Sequence, residues 1–187
     1  MILEGIVTSR DRAGQINVAP MGPVVDASMS HFQLRPFKTS QTYQNLREIP
    51  CGVFHVVDDV LLLAQAAINR LDALPATFPA VEVAGDVLES ACRWYEFTVN
   101  EVDAREDRTV LSAQVVHSGR LRDCFGFNRA KHAVIETAIL ATRLHLVGAA
   151  ELADDLQRLS VIVDKTAGDQ ERQAFDLLKS HIEGSND

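Results

Sequence analysis

The hydrophobic pattern of this chain changes period once, near Phe127, and that change limits the fold more than any other feature. Before it, short runs rich in β-branched and aromatic residues alternate with turn residues, which is the signature of strands and hairpins. After it, apolar residues recur at three- and four-residue spacing, which is the signature of helices. A chain that is β-rich first and helical last is either an α+β fold or a barrel domain with a helical attachment. The boundary divides the chain into 1–127, a β core with a short helical insertion, and 128–187, a helical elaboration packed on it.

Within the first part, Leu3 to Ser9 reads as a strand through Ile6, Val7 and Thr8. Gly14 supplies a positive φ in the turn that follows, and Ile16 and Val18 belong to the returning strand. Val24 and Val25 extend the sheet. Ser28–Leu46 is too polar and irregular for a regular element, whereas CGVFHVV at 51–57 reads as a strand near the centre of the barrel. Asp58 or Asp59 caps a helix through VLLLAQAAINRL, laid over one end of the sheet, and Leu71–Pro79 is a loop. Ala91–Val102 and Thr109–Val116 form two strands joined by the charged turn DAREDR.

In the second part, Asn128 is the expected N-cap of a helix running to Val147, with Val134, Ala138 and Ala141 on its apolar stripe. Arg129, His132, Glu136 and Arg143 share an adjoining face. Further helices are expected over Glu151–Val163 and Asp169–Ile182, interrupted at Lys165–Gly168.

Charge and cysteine usage narrow the function. The 18 Lys and Arg against 26 Asp and Glu give a net charge of -8, which argues against nucleic acid or an anionic membrane as partner. No apolar run reaches about 20 residues, so no membrane span is expected. MILEGIVTSRDRAG lacks the pattern of a secretory signal. Cys51, Cys92 and Cys124 are too dispersed for a disulfide framework or a close metal-ligand pair, and the six histidines are equally scattered. A reducing cytoplasm is the expected compartment. No nucleophile elbow, Walker loop or dinucleotide fingerprint is present.

The sharpest chemistry lies in RPFKTSQTYQNL at 35–46. No acidic residue falls between Ala27 and Arg47, while Arg35 and Lys38 can neutralise phosphate oxygens. Thr39, Ser40 and Thr42 offer hydroxyl donors, and Gln41 and Asn45 amides. An exposed polar turn is the competing reading, and Tyr43 is read as a core anchor. Asn17, Met21 and Gly22 can border a planar heterocycle, although Asn17 also suits a turn and Met21 ordinary barrel packing. Asn128 and Arg129 stand at the positive end of their helix, where they serve a ligand or simply a cap with salt bridges. His55, inside VFHVV, reads as a satisfied core histidine rather than a proton donor.

The stretches EGIVTSRDRAGQINVAPMG, RPFKTSQTYQNL, CGVFHVVDDV, GFNRAKHAVIETAILATRLHLV and IVDKTAG occur in an order and spacing that covers nearly the whole chain. In this the sequence resembles a family of uncharacterised function within the FMN-binding split-barrel, flavin-reductase-like group. The resemblance implies a mainly β fold, an antiparallel split barrel with C-terminal helices. It also implies a homodimer with flavin mononucleotide (FMN) near the subunit boundary. By the same resemblance Lys38, Thr39, Ser40 and Thr42 surround the phosphate with support from Asn45, Met21 and Gly22 approach the flavin ring, and Asn128 and Arg129 contribute from the helical part. His55 departs from the Asn that related sequences often carry.

The leading expectation is therefore an FMN-dependent oxidoreductase or flavin reductase-like protein acting on a small redox substrate. A non-enzymatic flavin carrier or redox sensor is one alternative, and a structural dimerisation module another.

Overall fold

The computed structural model describes residues 1–124 and 126–185. In chain order the elements are β1 (Gly5–Arg10), β2 (Ile16–Met21), β3 (Val24–Val25), β4 (His31–Leu34), α1 (Gln41–Glu48), β5 (Cys51–Val56) and α2 (Val60–Ala67). Then follow β6 (Thr77–Pro79), β7 (Asp86–Leu88), β8 (Arg93–Asp103), β9 (Val110–Arg120), α3 (Arg129–Ala141), α4 (Ala149–Thr166) and α5 (Asp169–Gly184). A turn of 3-10 helix spans Leu144–Leu146. Contacts divide the chain into two compact units, Met1–Val57 with Pro75–Cys124, and Asp58–Leu74 with Phe125–Asp187.

The first unit is an antiparallel sheet of seven strands in the order β2-β1-β5-β8-β9-β4-β3, with β6 and β7 forming a separate two-stranded ribbon. The residues ahead of β1 turn to pair with β3: Ile2 bridges Val24, Val25 N donates to Met1 O at 2.8 Å, and Leu3 N donates to Pro23 O at 3.1 Å. Those bonds bring one end of the sheet back to the strand near the other end, giving a curled, open half-barrel. Mainly β structure with C-terminal helices is thus the observed fold class, that of a split barrel.

Alternating inward residues fill the barrel. Phe32, Phe54 and Phe97 are buried, with the Phe32 and Phe54 ring centroids 5.5 Å apart and nearly perpendicular. That geometry sets the edge of one ring against the face of the other. Tyr43 and Leu46 of α1 enter the same core. Gly5 is required by close approach, because a Cβ there would lie 2.3 Å from the His55 carbonyl oxygen. Gly14 adopts φ 80°, as the β1–β2 turn demands.

The segment 28–46, expected to be irregular, contains β4 and the first six residues of α1. β4 is only four residues long and alternates exposed and buried positions, and α1 buries two polar side chains, so neither carries a long hydrophobic signature. β6 is also regular where a loop was read, and β7 lies in a stretch given no element from the sequence. Asp59 is the N-cap of α2, its carboxylate accepting from Leu62 N at 2.9 Å.

In the second unit, α2 packs with α3 and α5 through Leu63, Ala64, Ala133, Val134 and Leu178. Asn128 caps α3, its Oδ1 accepting from Ala130 N at 2.8 Å and Lys131 N at 3.1 Å. α3 stops at Ala141, six residues short of the sequence-based end, because the chain turns at Thr142 and tightens to the 3-10 turn. Lys131 Nζ pairs with Glu171 Oε1 at 3.1 Å, and Glu171 Oε2 accepts from Gly168 N at 2.9 Å, tying α3 to the start of α5. Among the described residues, no helix is long and apolar enough to cross a membrane.

Candidate functional site

The 35–46 segment forms a loop bound to the β8–β9 turn and then α1. Phe37 bridges Arg108, Lys38 N donates to Asp107 O at 2.9 Å, and Thr109 Oγ1 donates to Pro36 O at 2.7 Å. Arg108 also lies over the Phe37 ring, 5.7 Å from its centroid. These bonds fix the loop that carries both candidate cations.

Arg35 and Lys38 are cations of this loop for which no ion pair is formed among the described residues. Arg35 Nε is buried and has no hydrogen-bond partner among the described residues. A buried guanidinium N–H without an acceptor is costly, and such a group in a native fold calls for a ligand or water. The Lys38 side chain is half-buried and makes no ion pair among the described residues, while Lys38 O accepts from Gln44 Nε2 at 2.7 Å.

Ser40 is the N-cap of α1. Its Oγ donates to Phe37 O at 2.8 Å and accepts from Tyr43 N at 3.2 Å. Ser40 N itself donates to Phe37 O, and Gln44 N donates to Ser40 O. The N–H groups of Gln41 and Thr42 have no acceptor among the described residues, and no acidic residue stands in the helix's first turn. Thr39 is exposed in the preceding turn.

The hydroxyl of Thr42 and the amide of Asn45 point inward. Thr42 is 2% exposed, and its Oγ1 accepts from Asn17 Nδ2 at 3.1 Å. Asn45, equally buried, donates from Nδ2 to Ser9 Oγ at 3.1 Å and accepts at Oδ1 from Gln41 Nε2 at 2.7 Å. Two sets of bonds result, Asn17 with Thr42 and Ser9 with Asn45 and Gln41; Gln41 was read from the sequence as an amide donor of this run, whereas Ser9 was not selected. The only sequence signal of Ser9 was a hydroxyl at the end of a strand, which is common before any turn.

Met21 ends β2 opposite Gly5 and packs against the barrel core. At Gly22 a Cβ would lie 2.6 Å from Glu4 Oε1. Asn128 and Arg129 lie in the other compact unit. Asn128 spends its side chain on the α3 cap and on Thr166 O, which accepts from Nδ2 at 3.2 Å, while Arg129 is exposed.

His55 is fully buried on β5. Its Nε2 accepts from Leu88 N at 3.1 Å, which leaves Nδ1 to carry the proton and donate to Ile6 O at 3.1 Å. Burial pushes its pKa down to about 4, against a smaller opposing effect of the Ile6 carbonyl. It is a neutral core histidine that joins three strands, as read from the sequence.

Glu96 is a second buried titratable group. Burial favours its neutral form, but hydrogen bonds from Val81 N, Glu82 N and Trp94 Nε1 outweigh that effect and hold its pKa below the ordinary value. It anchors the loop between β6 and β7.

Two family models cover most of the chain. The N-terminal domain model of the protein of unknown function family DUF447 matches residues 3–122, and the second DUF447 model matches residues 128–180. The chain belongs to the DUF447 family. No curated protein is similar to it. An FMN-bound DUF447 protein from Methanosarcina mazei shares the fold at a TM-score of 0.82 and 24% identity, covering 96% of this chain and 94% of that one. A 2-nitrobenzoate 2-nitroreductase from Pseudomonas fluorescens gives a TM-score of 0.54 at 15% identity, over 63% of this chain and 64% of its own. An FMN-binding protein from Thermus thermophilus with bound p-hydroxybenzaldehyde gives 0.52 at 16% identity, over 63% and 71%.

Proposed function

We propose that this DUF447 protein binds FMN at the Arg35–Thr42 end of its half-barrel and works as a flavin reductase-like oxidoreductase on a small redox substrate. The observation that carries the reading is the buried Arg35 Nε without an acceptor, in the loop that leads into the unspent N–H groups of α1. A phosphate dianion supplies the missing acceptor and suits the positive end of a helix. Lys38 adds charge without a competing carboxylate among the described residues. The FMN bound by the Methanosarcina mazei relative supports the choice of anion.

The donor set fits such a group. Arg35, Lys38, Thr39 and the Gln41 and Thr42 amides would hold the phosphate, Ser40 would cap the helix behind them, and Met21 and Gly22 would border the ring. Bound flavin supplies two-electron hydride chemistry that no side chain offers, so the protein's part is to bind and orient. The reading includes a homodimer with the flavin near the subunit boundary, in the reducing cytoplasm that suits its free cysteines.

Fluorescence titration with FMN and with riboflavin, which lacks the phosphate, tests the site. Arg35→Met and Lys38→Met are each expected to weaken FMN by about tenfold or more while riboflavin changes little. Equal losses for both ligands would refute the phosphate site. Anaerobic bleaching of the bound flavin by NADH or NADPH, followed by reoxidation with a nitroaromatic or quinone, tests the oxidoreductase part. A flavin that no such donor reduces would overturn that part and leave a carrier or sensor. Light scattering of the purified protein tests the dimer.

A further inference from the structure

Ser9 and Asn17 stand directly opposite each other in the β1–β2 pairing, so their side chains leave the hairpin on the same face. Both reach α1. Asn17 Nδ2 donates to Thr42 Oγ1, and Ser9 Oγ accepts from Asn45 Nδ2, each at 3.1 Å. Asn45 then holds Gln41 through its Oδ1 at 2.7 Å. The cross-strand pair therefore grips the second residue of the helix directly and its first residue through one relay.

These are the residues whose backbone N–H groups, at the head of α1, have no acceptor among the described residues. Ser9, Thr42 and Asn45 are each 2% exposed, so none of the three can reorient toward solvent or toward a ligand without breaking a buried bond. Directional bonds between side chains fix the rotation of a helix about its axis, which apolar packing alone leaves loose.

We infer that Ser9, acting through Asn45 and Gln41, is a positioning residue that aims the first turn of α1 at the flavin phosphate. The inference rests on the FMN reading above. Ser9 touches no ligand; it sets where the Gln41 and Thr42 amides point. Thr42, which the resemblance sets around the phosphate, and Asn45, to which it gives a supporting part, act here from behind through their side chains.

The test compares the ratio of riboflavin to FMN dissociation constants in wild type, Ser9→Ala and Gln41→Met. Gln41 is exposed, so Gln41→Met removes its donated bond without opening the core. Each variant is expected to lower the ratio about five- to tenfold, with riboflavin affinity within about twofold of wild type. A merely structural role would move the urea midpoint and weaken both ligands together, and that outcome overturns the inference, as does an unchanged ratio. Should Ser9→Ala fail to fold, Gln41→Met decides alone. A wild-type protein that binds the two ligands equally refutes the underlying phosphate reading, a result visible before any variant is made.

Discussion

Replacing His55 by Asn should change how stability depends on pH, and the structure sets the size of the change. His55 accepts from Leu88 N and donates to Ile6 O only as the neutral ring, so a second ring proton would face the Leu88 N–H donor. Its pKa falls from 6.5 to about 4 on folding. The group is therefore protonated more readily when unfolded. Its contribution is fully present above the unfolded pKa and declines as pH falls from about 6.5 toward 4. Each pH unit of that interval is worth about 1.4 kcal/mol, which gives about 3 kcal/mol in total and about 2 kcal/mol between pH 7 and pH 5. The Asn variant keeps an amide donor for Ile6 O but leaves Leu88 N–H without an acceptor, so at neutral pH it should be less stable by about 1–3 kcal/mol. Having no proton to take up, it should lose less stability on acidification, and the two proteins should converge toward pH 5. Urea unfolding followed by Trp94 fluorescence across that range measures both curves, and the remaining titrations cancel in their difference. Parallel curves, with a constant gap from pH 7 to pH 5, would refute the account of His55 as a buried neutral histidine.

Glu96→Gln removes a charge held by backbone and indole donors and places an amide N–H₂ against them, so it should cost about 2–3 kcal/mol in urea unfolding. Because the folded pKa of Glu96 lies below the unfolded value, that contribution is present above the unfolded carboxylate pKa and is lost as pH falls through the folded one; the gap should close in acid. The emission maximum of the sole tryptophan, Trp94, should shift as its Nε1 partner changes. Asn128→Ala should cost about 1–2 kcal/mol through the α3 cap, with FMN and riboflavin affinities both unchanged if Asn128 is only structural. A selective loss of FMN in that variant would make Asn128 a ligand.

The elements legible in the sequence were those with a strong local period or a strong local cap. CGVFHVV became β5, Asp59 and Asn128 capped helices, and Tyr95, Phe97 and Val99 faced one core with Leu111, Ala113 and Val115. The elements hidden from it have their partners far away. α1 is eight residues long and buries Thr42 and Asn45 where a simple amphipathic helix would bury leucine, so its pattern reads as a polar loop. Asp86, 5% exposed, is held by Arg10 through two bonds of 2.6 Å across 76 positions, and no local pattern announces such a pair. The candidate site shows the same division. Positive charge at Arg35 and Lys38 is visible as composition, whereas the direction of a hydroxyl or amide depends on the hairpin that packs beside it.

That dependence explains why the residue types of the loop are legible in the sequence and the directions of their side chains are not. α1 has few apolar anchors, Tyr43 and Leu46 chief among them, and two side chains leave a short helix free to roll. Burying Thr42, Asn45 and Ser9 costs desolvation that apolar residues would avoid, and the loss is offset only when every bond of the set is made. A fold that needed α1 merely as a cover for the barrel would gain more from leucine at those positions. The polar set instead fixes one rotation of the helix, with the Gln41 and Thr42 amides at its head, in the segment that also carries Arg35, whose Nε has no acceptor among the described residues. Orientation is the quantity that a bound anion requires and that hydrophobic burial cannot supply, because burial has no direction.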